Sequence, residues 1–363
     1  MQKAQSESSE EHIFSGNIYI FHSFDVGDDI DLNLVQNKQL LTKQPYVGAK
    51  YFKNYHTPLA IDPPHPHATS HCESAKLHNF GVITLRYKIP FTASLEKLRE
   101  DINTIENEYK EQSVEDAAAI FKAIKTAVKQ PHFFHIARSY VLIQVNTEED
   151  IDILELKDQY AEMIAATLRF ETETLSEYKK NQIIKSAFGY YHGDLIVIDT
   201  ESAFIYDDEY EEVLDLFEFV NIQHLELQYF DRLLDQKLNA VYETEAQKLP
   251  WQAYLPIGGT LTSDLVKDLG KLRVDISVIT ERLESSIKLV GEPYYSELYT
   301  ALIDKLDVTS WKASIQKKFE IIREMSDVYQ SAIRTVRDDV FNVLIVLLIF
   351  MEFVVAIMHY FKA

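Results

Sequence analysis

The stretch IFSGNIYIFHSF, Ile13 to Phe24, decides the first half of the fold. It is rich in Ile, Phe and Tyr, alternates in part, and reads as a strand with a buried face. A second run, LHNFGVITLRYKIPF from Leu77 to Phe91, reads the same way. Further on, Thr92 can cap a helix whose apolar positions Leu95, Leu98, Ile102 and Ile105 recur at steps of three and four. Val114 to Val128 continues it and Pro131 stops it. HIARSYVLIQV, His135 to Val145, is another strand; Ile151 to Ser186 is helical; and DLIVIDTESAFIY, Asp194 to Tyr206, has the form of a hairpin. No Gly-rich turn joins a strand to a helix, so the expectation is α+β, a small sheet with helices packed on one side.

Composition sets bounds on this reading. The chain has 363 residues, 46% hydrophobic and 12% aromatic, enough to bury a sizeable core. Ten glycines and ten prolines imply long regular elements. Cys72 is the single cysteine, which excludes an internal disulfide and fits a reducing compartment. A net charge of -21 repels phosphate backbones, so direct nucleic-acid binding is not expected. The opening MQKAQSESSEEH reads as a disordered polar tail with neither a secretory nor a mitochondrial leader.

From Asp208 the pattern changes to long amphipathic helices. Val213, Phe217, Val220, Leu227, Phe230, Leu234, Leu238 and Val241 mark the first. Leu265, Leu269, Leu272, Ile276, Ile279, Leu283 and Ile287 follow a heptad-like repeat, Leu298, Leu302 and Leu306 a shorter helix, and Ile315, Phe319, Ile322, Met325 and Tyr329 a fourth. Nothing breaks that fourth helix before VFNVLIVLLIFMEFVVAIMHYF, Val340 to Phe361. At about 1.5 Å per residue this last stretch covers a hydrocarbon core of roughly 30 Å, and it is apolar on all sides. Glu352 near its middle costs about 2.5 to 3.5 kcal/mol on insertion scales and needs a partner. Asn342, Ile349, Glu352, Ala356 and His359 share one helix face, a polar and small-residue stripe suited to self-association. Arg323, Arg334 and Arg337 precede the span against Lys362 after it, and no signal directs the acidic head across a membrane, so the head is expected on the cytoplasmic side, mainly on that second ground.

Two readings of chemistry are open. His65, His67, His71 and Cys72 lie in a Pro-rich loop and are competent ligands for zinc; the same loop can equally be solvated. The phosphate-loop, dinucleotide, zincin and serine-hydrolase signatures are all missing, so no catalytic residue is assigned.

NFGVITL (Asn79 to Leu85), SAFGYYHGDLIVIDTESAFIYD (Ser186 to Asp207), NIQHLELQYFDRLLDQKLNAVYE (Asn221 to Glu243) and the terminal LIVLLIFMEFVVAI together resemble one family. It is the domain-of-unknown-function family of the yeast sporulation and meiotic nuclear division membrane proteins, in its bacterial branch. The resemblance implies a coiled-coil pair, one transmembrane helix with a glutamate matching Glu352, oligomerisation and, in mitochondrial members, support of translation near the inner membrane. A bacterial inner membrane, or a mitochondrial one in a eukaryote, would be the location.

The resulting expectation is a disordered tail over 1–12, an α+β head over 13–207, a coiled-coil-like bundle of long helices over 208–339 and a transmembrane helix over 340–361. The function expected is a tail-anchored, homo-oligomeric, non-enzymatic scaffold whose partners are the bilayer, a second copy and an unidentified protein. The competing reading is a divalent-metal-binding or ion-conducting assembly using the His-rich loop or Glu352.

Overall fold

The structure is a computed structural model describing residues 12–45, 57–63, 71–133, 137–147, 151, 153–190, 193–207, 209–245, 270–271, 273–274, 277 and 293–361. Its contacts divide the chain into two units, Met1–Leu227 with Arg282–Thr309, and Gln228–Glu281 with Ser310–Ala363.

The first unit is built on an eight-stranded sheet. Its strands are β1 (Phe14–Asp25), β3 (Leu59–Ile61), β4 (Cys72–His78), β5 (Val82–Ala93), β7 (Arg138–Val145), β8 (Ala187–Phe188), β9 (Leu195–Ile198) and β10 (Ser202–Tyr206), in the order β3-β4-β5-β1-β7-β10-β9-β8. A two-stranded ribbon pairs β2 (Asp29–Ile30) with β6 (Val128–Lys129). β1 is the central strand, antiparallel to β5 from Phe14↔Ala93 to Asp25↔Val82 and to β7 from Gly16↔Val145 to Ser23↔Arg138. Its backbone runs so close to β7 that a Cβ on Gly16 would lie 2.0 Å from the Gln144 carbonyl oxygen, so only glycine fits there. β7 and β10 are parallel, and every other pair in this sheet is antiparallel.

The helices of this unit are α1 (Leu32–Asn37), α2 (Leu95–Ile124), α3 (Ile153–Gln159), α4 (Ala161–Leu168), α5 (Glu177–Ile184), the first part of α6 (Tyr210–Glu245) and α7 (Pro293–Lys305). Strand alternation sorts the side chains between two layers. Phe14, Ile18, Ile20 and Phe24 of β1, with Ile83, Leu85 and Tyr87 of β5, join Leu95, Leu98, Ile102 and Ile120 of α2 and Ile164 and Leu168 of α4 in one core. The opposite face meets α6: the Tyr140 ring packs 5.4 Å from that of Phe217, and Lys76 and Thr84 bond Glu218. The expected one-sided, small sheet is therefore corrected to a large sheet covered on both faces. α6 is buried almost all round at Val213, Leu216, Phe217, Val220 and Ile222, because α7 closes its far side. Tyr294, Tyr295 and Tyr299 of α7 donate to Asp207, Glu212 and Gln223 at 3.2, 2.7 and 3.2 Å. Such a middle position requires buried side chains on both faces of the helix, and the polar ones among them must find partners.

Two local expectations also change. The run from Leu77 to Phe91 is a hairpin, β4 turning into β5 at Asn79, Phe80 and Gly81, where the Gly81 N–H donates to the His78 carbonyl at 3.1 Å. The helix cap is Ser94, whose hydroxyl accepts from the Lys97 N–H at 3.3 Å, because β5 continues through Thr92 to Ala93.

In the second unit, the remainder of α6 carries buried Phe230 and Leu234, and α8 (Val308–Tyr360) carries buried Ile315, Ile322 and Ile333. Lys318 joins the two, 2.7 Å from both Asp231 and Asp235. α8 runs unbroken for 53 residues. Within its segment Ser331–Tyr360 the most apolar 18-residue window has a mean hydropathy of 2.8 and is wholly exposed, so this stretch is long and apolar enough to cross a membrane. The heptad-patterned stretch from Leu265 to Ile287 lies for the most part outside the described residues.

Candidate functional site

The layer between the sheet and α6 is where polar side chains converge. Alternation along β4 and β5 turns Ser74, Lys76 and His78, and Thr84, Arg86 and Lys88, toward α6, while Ala75, Leu77, Ile83, Leu85 and Tyr87 enter the opposite core. The pairing slips between Cys72 and Ser74. This β-bulge adds Glu73 to the same face, so two consecutive residues look toward α6. From the helix, Glu211, Asp215 and Glu218 answer at steps of four and three.

At the floor, Lys76 Nζ lies 2.7 Å from Glu218 Oε2 and 3.3 Å from Asp215 Oδ1. Thr84 Oγ1 donates to Glu218 Oε1 at 2.7 Å, and His78 Nε2 is 3.3 Å from the same hydroxyl. Burial pushes the Glu218 carboxyl up, but the charges of Lys76 and Arg86 lead the causes that outweigh it and hold the group down at about 2. Burial lowers His78 to about 4 against the pull of Glu218, so its ring is neutral at pH 7. Asp215 moves up, through burial that Lys76 only partly offsets. The Lys76 and Glu218 side chains, 6% and 5% exposed, thus form an ionised buried pair.

Above this floor opens a cavity of about 410 Å³. Its sheet wall carries Glu73, Arg86 and Lys88 and its helix wall Glu211 and Asp215. Glu73 contacts Arg86 Nε at 2.9 Å and Lys88 Nζ at 3.6 Å, and the Lys88 ammonium lies 5.5 Å from the centre of the Tyr19 ring. The arrangement holds fixed charges of both signs around a solvent-reached space, which suits binding and orientation of a charged small molecule.

A second polar hub fixes the β9–β10 turn. Asp199, 1% exposed, pairs with Arg169 and with Lys305 of α7 at 3.3 Å. The Tyr140 hydroxyl sits 2.8 and 2.9 Å from the Asp199 and Ser202 carbonyls. Asp199 is enclosed while its two cations reach solvent in part, and the hub reads as a clamp that seats α7 on the head.

The residues singled out by sequence fall elsewhere. Cys72 opens β4 and is buried in the α2-side core, where burial pushes its thiol up to about 12 and its Sγ approaches the Ser74 carbonyl at 3.7 Å. His71 packs edge-on to Tyr109 at 6.1 Å, and His65 and His67 lie outside the described residues. Among the described residues no three His, Cys, Asp or Glu side chains are grouped to hold a metal ion. Asn342, Ile349, Glu352, Ala356 and His359 all lie on the exposed length of α8. Sequence reasoning passed over Lys76, Thr84, Arg86 and Lys88, although polar residues at every second position of two apolar strands were the available signal.

A family model described as "Uncharacterized protein MJ0711, N-terminal domain" matches residues 15–212, more than half of the chain and all of the sheet but the first residue of β1. The chain belongs to the MJ0711 N-terminal domain family. A relative from Methanocaldococcus jannaschii, "Uncharacterized protein MJ0711", is 30% identical over 169 residues, which is 46% of this chain and 49% of that protein. The chain thus aligns with about half the length of this curated relative. No solved structure matches. Membership of the MJ0711 N-terminal family overturns the resemblance to the sporulation and meiotic nuclear division proteins. The shared motifs there were short apolar strands and leucine-rich helix, patterns that unrelated α+β proteins with a terminal apolar helix also produce.

Proposed function

We propose that this protein is a bilayer-anchored, homo-oligomeric scaffold that holds its α+β head at the membrane for a protein partner and performs no catalysis. The observation that carries this reading is α8, which from Phe341 to Tyr360 is exposed throughout and apolar except at Asn342, Glu352 and His359. A soluble fold gains nothing from exposing such a surface, whereas a hydrocarbon core of roughly 30 Å takes it up. Arg334 and Arg337 precede the span and favour a cytoplasmic head. Within the span, Asn342, Glu352 and His359 lie on one face, and pairing Glu352 across a helix contact removes most of the cost of a lone carboxylate in lipid.

The test joins membrane fractionation with mass measurement in detergent. The intact chain is expected in the alkali-resistant membrane pellet as one oligomer, and a chain ending at Asp339 in the soluble fraction. Glu352→Leu should remain in the membrane but shift to a smaller species. An intact chain that stays in the supernatant refutes anchoring, and an unchanged oligomer in Glu352→Leu refutes assembly through this face.

A further inference from the structure

The cavity between the sheet and α6 has two walls of opposite sign, and the way its charges are already committed defines what would fit. Three cations, Lys76, Arg86 and Lys88, and three carboxylates, Glu73, Glu211 and Asp215, line it. Lys76 stands between two carboxylates at the floor, 2.7 Å from Glu218 and 3.3 Å from Asp215, and the Arg86 charge answers the one in excess. What remains on the sheet wall is a pair of cations, Arg86 and Lys88, whose contacting carboxylate is Glu73, with Glu218 and Asp215 acting on Arg86 from the floor. What remains on the helix wall is Glu211, exposed in the first turn of α6 and in no ion pair among the described residues. Glu73 reaches the cations because the bulge at Cys72 and Ser74 re-aims it, and with its side chain 34% exposed it can swing out. It stands where a ligand's carboxylate would stand.

We infer that this cavity binds a small zwitterion, its carboxylate between Arg86 and Lys88 in place of Glu73 and its ammonium toward Glu211. A space of about 410 Å³ falls within the usual range for small-molecule sites and admits an amino acid. A guanidinium beside an ammonium is a strong carboxylate receptor, and Tyr19 under Lys88 keeps that ammonium in position. A simple anion would satisfy the sheet wall and leave Glu211 unanswered; a simple cation would do the reverse.

Titration calorimetry on the full chain in detergent tests this with glycine, β-alanine, γ-aminobutyrate and δ-aminovalerate, which differ in charge separation, and with acetate and methylammonium as half-ligands. At least one amino acid is expected to bind about tenfold or more tightly than either half-ligand. Lys88→Met and Glu211→Gln, both at solvent-reached positions, should each weaken that ligand about tenfold, and Glu73→Gln should strengthen it by removing the internal competitor. The opposite sign at Glu73 separates competition from general loss of structure. Acetate binding as tightly as every amino acid, no binding by any of the probes at millimolar concentration, or Glu73→Gln weakening the ligand would each overturn the inference. None of these outcomes bears on membrane anchoring, which the fractionation reads separately.

Discussion

Lys76 and Glu218 are each nearly sealed from water, and each depends on the other to be charged there. Their environments are unequal. Lys76 touches a second carboxylate, Asp215, which is 16% exposed, whereas Glu218 touches one cation, Lys76, and the Thr84 hydroxyl, with Arg86 acting from farther off. Lys76→Met should therefore cost about 3 to 5 kcal/mol in urea unfolding, as expected when one member of a buried ion pair is removed. Glu218→Gln should cost less, because Lys76 keeps a carboxylate and the amide still accepts from Thr84. Equal losses in the two variants would show that the pair is not asymmetric. Much of this site was visible in sequence as polar residues at alternate positions, Lys76 and His78 on one strand and Thr84, Arg86 and Lys88 on the next. Their partners were not, since α6 carries many acidic residues and nothing local says that Glu218, three residues after Asp215, is the one that faces a sheet rather than water.

Among the elements, those with their own apolar periodicity were legible and the shortest strands were not. β1, β7, α2 and the β9–β10 hairpin announce themselves by apolar periodicity, whereas β3 and β8, of three and two residues, are held only by their neighbours. The hairpin between β4 and β5 was missed because Asn79, Phe80 and Gly81 sit inside an unbroken apolar pattern, with Phe80 itself only 4% exposed. Gly81 makes that turn. Its φ is +96°, and a Cβ would lie 1.7 Å from the Gly27 carbonyl oxygen. Gly81→Ala should thus lose about 1 to 3 kcal/mol from the backbone conformation alone, with the collision against Gly27 added to it. A thermal melt within a degree of the parent would contradict the turn geometry.

On the scale of the whole molecule, the formal charge of -21 coexists with an interior that stores neutral histidine. His22, on β1 in the α2-side layer, is fully buried, has no hydrogen-bond partner for either ring nitrogen among the described residues, and is lowered by burial, with a smaller push from Lys110, to about 3. Its unfolded value is 6.5, so the unfolded chain takes up a proton that the folded chain refuses. Stability from this group is complete above pH 6.5 and is lost as pH falls toward 3, with a slope approaching about 1.4 kcal/mol per pH unit. Asp25, Asp215 and Glu226, all raised by burial, act in the opposite sense, so the histidine is best isolated by difference. His22→Phe should gain on the parent steadily from pH 6.5 downward in urea unfolding; a difference independent of pH would mean that the ring is protonated in the folded state. The two-faced sheet was not legible at this scale, because the helix covering its second face follows the last strand in sequence and is written with the same periodicity as a free-standing bundle helix.

The burial of Cys72 has a practical consequence. The chain holds a single sulfhydryl, shielded in the β4 core and reluctant to ionise, and maleimides and disulfide reagents attack the ionised form. The native fold is in effect a cysteine-free background. A cysteine introduced along α8, one position at a time, would be the reactive handle in each variant, so depth in a bilayer and distances between copies could be mapped by spin or fluorescent labels without altering the natural sequence elsewhere.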